Sequence, residues 1–152
     1  MRWGAILAMV VCAGVLAGCA HTMTLPATFV PVGSEDLGDY CVRGISADGV
    51  VVALKTQTNP KEGTLDFWVN AATNQLTGGA GYKLDKSEGL ASETGTPGKL
   101  LTFSAQLEGA PFTYLLAIFV QGGTILVGEA GGKTDAVTPK LEEIRKAFAT
   151  AK

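Results

Sequence analysis

Carboxylates and aromatic rings are the side chains of this sequence with chemistry to offer. Asp66, Asp85, Glu88 and Glu129 could form a general acid–base pair, or ligate calcium through oxygen, if folding brought them together. Solvated surface charge is the alternative use of all four. Gly128 to Thr134, Gly-Glu-Ala-Gly-Gly-Lys-Thr, invites a phosphate-loop reading and fails on spacing. Backbone N–H groups wrap a phosphate when four residues separate the first glycine from the Gly-Lys pair, and here three do. These glycines are read as a flexible strand exit. Trp68 and Tyr82 border one Gly-rich connection, Gly78-Gly79-Ala80-Gly81, and are the candidate binding residues. A sheet face left uncovered by its helices would offer such rings to a partner.

Those side chains need elements to hold them. Residues 40–47 and 50–57 are β-rich runs separated by Asp48-Gly49, the two-residue signal for a type I′ hairpin. Val50-Val51-Val52-Ala53-Leu54 is apolar on both faces and suits an interior strand. Asn59-Pro60-Lys61-Glu62 offers a cap, a proline at the first helical position and a glutamate three residues after the cap, with Thr64 as the rival cap. Leu65, Trp68, Val69, Ala72 and Leu76 then recur at helical spacing, which places Trp68 against the sheet, and Gly78-Gly79 ends the helix. Residues 82–92 carry Lys83, Asp85, Lys86 and Glu88, charges that protect an edge strand.

Residues 99–107 alternate, with Leu101, Phe103, Ala105 and Leu107 on one face. Residues 112–121 put Phe112, Tyr114, Leu116, Ile118 and Val120 on one face and Leu115, Ala117 and Phe119 on the other, a pattern for the centre of a sheet. Gly122-Gly123 is a tight hairpin leading to residues 124–130. Thr138-Pro139 caps a last helix with the stripe Leu141, Ile144, Ala147 and Phe148. The order β-β-α-β-β-β-β-α is an α+β fold, an antiparallel sheet of about five or six strands with two amphipathic helices.

The N terminus supplies an address. Residues 1–18 have the basic start, apolar core and small-residue exit of a secretory signal. The apolar run from Gly4 to Leu16 is shorter than the ~20 residues that a membrane-spanning helix needs. Leu16-Ala17-Gly18-Cys19 fills the pattern of leucine, two small residues and cysteine without departure, and so resembles a bacterial lipobox; an ordinary cleaved signal followed by a cysteine is the alternative. The resemblance implies cleavage before Cys19, a diacylglycerol thioether on its sulfur and an N-acyl chain such as palmitate. Each buried methylene contributes ~0.8 kcal/mol, so more than one chain anchors stably. Ala20, where lipoproteins retained at the inner membrane usually carry Asp, resembles the default for the inner leaflet of the outer membrane, facing the periplasm.

His21, the only histidine, lies two residues from that anchor, which removes Ser-His-Asp and Cys-His mechanisms and the usual zinc sites. Cys12 leaves with the signal and Cys19 is taken by lipid, so Cys41 is expected to have no intramolecular partner and to act as a small buried hydrophobe. Lys and Arg number 12 against 14 Asp and Glu, a formal net charge of −2. The basic residues are scattered, and a nucleic-acid partner is excluded on that ground. Residues 19–38 read as a lipidated tether and lead-in, in which 21–31 is either tether or extended strand, and residues 39–152 as a single domain.

A hairpin, a helix, a meander ending in an apolar strand, a Gly-rich turn and a closing amphipathic helix are together similar to the PsbP-like fold, shared by photosystem extrinsic proteins and small bacterial lipoproteins. Gly95-Thr96-Pro97-Gly98-Lys99-Leu100-Leu101 before one strand and Phe112-Thr113-Tyr114 opening the next carry the resemblance locally, within residues 39–149. It implies docking and assembly over catalysis, and it transfers no cofactor-binding residue. The sequence thus reads as a lipid-anchored, periplasm-facing protein- or ligand-binding module without catalytic activity, cofactor or metal. Its partners are the membrane, through the anchor, and an envelope protein. A carboxylate-using envelope enzyme and a passive structural lipoprotein are the alternatives.

Overall fold

The computed structural model describes residues 19–152, so the signal reading, with Arg2, Cys12 and Leu16-Ala17-Gly18, lies outside the described residues. Seven strands form one sheet: β1 (Phe29–Pro31), β2 (Tyr40–Ser46), β3 (Val51–Thr58), β4 (Lys83–Ala91), β5 (Pro97–Leu107), β6 (Ala110–Gln121) and β7 (Thr124–Lys133). Their order is β1-β2-β3-β7-β6-β5-β4, and every neighbouring pair is antiparallel. The sheet is therefore wider than the five or six strands expected, because residues 29–31 pair with β2 as a short edge strand. Two amphipathic helices, α1 (Leu65–Gly79) and α3 (Leu141–Ala149), cover its two faces. A single helical turn, α2 (Thr134–Val137), and a 3-10 turn (Thr138–Lys140) lead into α3. No helix among the described residues is long and apolar enough to cross a membrane.

Alternation along the interior strands makes both faces apolar. Val52 and Leu54 of β3, Leu115, Ala117 and Phe119 of β6, and Leu126 and Ala130 of β7 face α3, where Ile144, Ala147 and Phe148 close the larger core. Leu101 and Phe103 of β5, Leu116 and Ile118 of β6, and Ile125 and Val127 of β7 face α1. The facing predicted for β6 is thus the facing it adopts. The α1 side is the thinner cover: Leu65, Trp68, Val69, Ala72 and Leu76 are only partly buried, and no residue of α1 is fully buried.

Several local expectations change. Asp48-Gly49 does not form a type I′ turn, since only Gly49 is left-handed (φ 84°) while Ser46 pairs with Val50 across a three-residue loop. The turn with two left-handed residues is Glu108-Gly109 (φ 52° and 78°), which joins Leu107 to Ala110. Thr64 caps α1, its side chain accepting from Phe67 N–H at 3.2 Å. Gly78-Gly79 belongs to the last turn of α1, and the left-handed residue that ends the helix is Gly81 (φ 74°). Thr138 is not the cap of α3, because its hydroxyl donates back to the Thr134 carbonyl at 2.7 Å.

Residues after Cys19 dock on the domain. Thr22 and Lys152 exchange backbone hydrogen bonds at 2.8 and 3.1 Å, and Met23 is buried in the larger core. This docking brings Cys19 beside the start of β2, where it forms a disulfide with Cys41, the two Cα atoms 5.3 Å apart. The expectation that Cys41 has no intramolecular partner is thereby corrected.

Gly128 to Thr134 is not a flexible exit either. Residues 128–133 are the second half of β7, paired with β3 and β6. A Cβ on Gly128 would lie 2.6 Å from the Phe148 ring, so the glycine is what lets α3 sit down on the sheet. Gly128→Ala should destabilise the domain by about 1–3 kcal/mol through overpacking. Gly89→Ala, at a strand glycine with no atom within 4 Å of the added Cβ, should change stability far less. Urea unfolding of the two variants checks this, and equal effects would contradict the packing role of Gly128.

Candidate functional site

Glu129 interrupts the apolar sequence of β7, the middle strand of the sheet. Alternation puts it on the α1 face with Ile125 and Val127, opposite Ala53 of β3 and Leu116 of β6. Its side chain is only 16% exposed. A carboxylate this buried requires partners, since desolvating an unpaired charge costs several kcal/mol. Three other strands supply them, the two neighbours of β7 and, beyond β3, β2. Lys55 Nζ of β3 donates to Oε1 at 2.9 Å, the Tyr114 hydroxyl of β6 donates to Oε1 at 2.8 Å, and the Tyr40 hydroxyl of β2 donates to Oε2 at 2.8 Å.

The charges in this row are set by that arrangement. Burial opposes ionisation of Glu129, but the hydrogen bonds from Lys55, Tyr40 and Tyr114 outweigh it and hold the carboxyl below its ordinary range. Burial, then the hydrogen bond to Glu129, pushes the Tyr40 hydroxyl up to about 12. Burial and the charge of Glu129 raise Tyr114 as well. Both phenols are therefore donors at neutral pH. Lys55 and Arg43 also lie over the Tyr40 ring, 5.6 and 5.9 Å from its centroid.

Two hollows meet at Glu129 and Tyr114. One, of about 260 Å³, runs between α1 and the sheet past Trp68, Gln75, Lys55 and Gln57. The other, of about 380 Å³, opens over β2, β3 and the end of β7 and is lined by Tyr40, Arg43, Val51, Tyr82, Phe112 and Gly131. It exists because α1 packs over β4, β5 and β6 and leaves that half of the face uncovered.

The sequence-based candidates distribute unevenly around these hollows. Trp68 lines the first, and its indole N–H donates to Asn59 Oδ1 at 3.2 Å. Tyr82 lines the second, its ring 5.5 Å from Tyr114 and 6.4 Å from Phe103. They stand at opposite ends of α1, Trp68 in its first turn and Tyr82 beyond its last. The four carboxylates do not converge. Asp85 pairs with Lys83 at 3.8 Å on the edge strand β4, Glu88 pairs with Lys86 and Arg145, and Asp66 sits in the first turn of α1. Among the described residues no group of three His, Cys, Asp or Glu side chains is placed to hold a metal ion.

Tyr40, Arg43 and Lys55 are site residues that sequence reasoning missed. The available signal was parity: Glu129 shares a face with Val127, and Tyr114 with Leu116, so a lone charge and a lone phenol were bound to meet inside an apolar surface.

The chain shares its fold with cyanobacterial PsbP (CyanoP) from Synechocystis sp. PCC 6803. The TM-score is 0.61 at 11% identity, over 93% of this chain and 96% of that one. LpqN of Mycobacterium tuberculosis, described as involved in cell envelope biogenesis, gives a TM-score of 0.63 at 15% identity over 85% and 79% of the two chains. The Ran-binding protein Mog1p of Saccharomyces cerevisiae gives 0.54 at 13% identity over 88% and 85%. Neither protein-family models nor curated proteins give a match in sequence. The PsbP-like architecture expected from the element order is thus the architecture observed, and the likeness concerns fold alone.

Linkage gives the site a test. Because the folded pKa of Glu129 is depressed, its contribution to stability is complete above the ordinary carboxylate value of about 4.3 and is lost as the pH falls through the lower folded value. Glu129→Gln should cost about 1–3 kcal/mol at neutral pH. The gap between variant and parent in urea unfolding should narrow on acidification below pH ~4. A gap of the same size at both pH values would show that the carboxylate is not held ionised.

Proposed function

We propose that this chain is a lipid-anchored, non-catalytic binding module of the bacterial cell envelope, tethered at the periplasmic face of the outer membrane. The observation that carries the binding reading is the open half of the α1 face, where aromatic rings and a charged row border a groove of about 380 Å³. The protonation states favour binding over acid–base chemistry. Glu129 is held ionised by three donors, and both phenols remain protonated, so no group of the row is poised to exchange a proton near neutral pH. The carboxylate-enzyme alternative loses support because Asp66 lies on α1, Asp85 and Glu88 on β4 and Glu129 on β7, and Asp85 and Glu88 are each engaged by basic side chains. Two proteins of the same fold carry descriptions compatible with such a role, one tied to cell envelope biogenesis and one to Ran binding.

The anchor reading rests on Leu16-Ala17-Gly18-Cys19 and the envelope address on Ala20. One sulfur cannot carry both a thioether and a disulfide. In the lipidated form the Cys19 sulfur holds diacylglycerol and Cys41 is a free thiol, whereas the Cys19–Cys41 disulfide belongs to a form without thioether lipid. Two substitutions separate these uses. Cys19→Ala should move the protein out of the membrane fraction or stall its signal processing. Cys41→Ala, which breaks the same disulfide, should leave it membrane-bound. Fractionation followed by immunoblotting reads both, and an unchanged membrane fraction for Cys19→Ala would overturn the anchor.

A further inference from the structure

We propose that the open groove takes a small ligand with an anionic group on a flat aromatic or apolar body, and that Arg43 receives the anion. This rests on the binding reading above and names its ligand class.

Charge bookkeeping in the groove leaves a cation over. Glu129 is the one carboxylate in the row, and Lys55 already neutralises it at 2.9 Å. Arg43 makes no ion pair among the described residues, though it is half-buried and lines the groove. A guanidinium removed from bulk water without a counter-ion is a standing preference for an incoming anion, and its planar fork suits a carboxylate, sulfonate or phosphate.

The backbone places Arg43 there by a specific device. Tyr40 and Arg43 are three residues apart, so a regular strand would send them to opposite faces. The register of β2 against β3 shifts between Tyr40 and Val42, and this bulge brings both side chains into the groove, with the guanidinium 5.9 Å from the Tyr40 ring centroid. The Tyr40 hydroxyl is in turn fixed by Glu129, so the ring beneath Arg43 cannot turn away freely.

The remaining walls suit a flat body. Tyr82 and Tyr114 lie 5.5 Å apart at 46°, and Phe112, two residues before Tyr114 on β6, continues the same wall. Gly131 keeps the floor low: a Cβ there would come within 3.2 Å of the Phe112 ring. A cationic ligand is disfavoured, because both oxygens of Glu129 are engaged and the Tyr40 ring already meets two cations.

Calorimetric titration of the full protein in a nonionic detergent, with naphthalene-2-sulfonate and its neutral counterpart 2-naphthamide as probes, tests this. The sulfonate should bind, and Arg43→Gln should weaken it at least about tenfold while changing 2-naphthamide less than about twofold. Arg43→Lys should recover part of the loss. In the parent protein, amide NMR shifts of Gly131 and Gly132 should move on adding the sulfonate, which keeps the test open if a variant fails to fold. No sulfonate binding by the parent, equal weakening of both probes by Arg43→Gln, or weakening of neither would overturn the proposal. An envelope partner captured by a protein that ignores the sulfonate would remove this ligand class and leave the binding-module reading standing.

Discussion

Glu129 holds its carboxylate within 2.9 Å of three donors that come from three other strands. β7 is the middle strand, so this charge sits where both neighbours expect apolar contact. Removing its partners would leave a buried charge uncompensated. With them in place, Tyr40, Lys55, Glu129 and Tyr114 bind β2, β3, β7 and β6 together along the α1 face, at the edge of the half that the helix leaves open. The helix that could have covered it, α1, is displaced toward β4, β5 and β6. A polar row inside the sheet and a short helical cover are therefore two sides of one arrangement, and the groove is its consequence.

The rest of the fold serves to hold α1 and α3 at the heights this arrangement needs. Asn59, 1% exposed, fixes the start of α1. Its Oδ1 accepts from Gly63 N–H at 2.8 Å and from Trp68 Nε1 at 3.2 Å, while its Nδ2 donates to the carbonyls of Gly63 and Gly122. One buried amide thus ties the helix entry to the β6–β7 hairpin, with every polar atom satisfied. On the opposite face Phe148 sits over Gly128, and within the sheet Phe119 sits over Gly98, where a Cβ would come within 2.5 Å of the ring. Small residues in the sheet answer large ones above it, which is how the larger core reaches close packing.

Much of this was readable in the sequence, and the limits have physical causes. The helical stripe of α1, the alternation of β5 and β6 and the charged edge of β4 follow from periodicity, because burial imposes it. Periodicity left the cap open between Asn59 and Thr64, since a capping side chain and a buried clasp use the same polar group at the same spacing, and only the distant Gly122 carbonyl separates them. The glycines of β7 resembled a loop because a glycine required by Phe148, twenty positions on, has the same local signature as one required by a turn. The charged row escaped for the same reason. Tyr40 and Glu129 lie 89 positions apart, and their meeting depends on a strand order in which β3 pairs with β7. Trp68 and Tyr82 were legible as rings near a helix but not as linings of two different hollows.

The ionised state of Glu129 is the claim on which the groove, its open face and its charge balance rest. Carbon-13 NMR of the Glu129 side-chain carboxyl, followed from neutral to acidic pH, measures it directly. The account predicts a midpoint below the ordinary glutamate value of about 4.3, reached while the domain is still folded. A midpoint above that value in the folded protein would mean that burial prevails over the three donors, and would contradict the account.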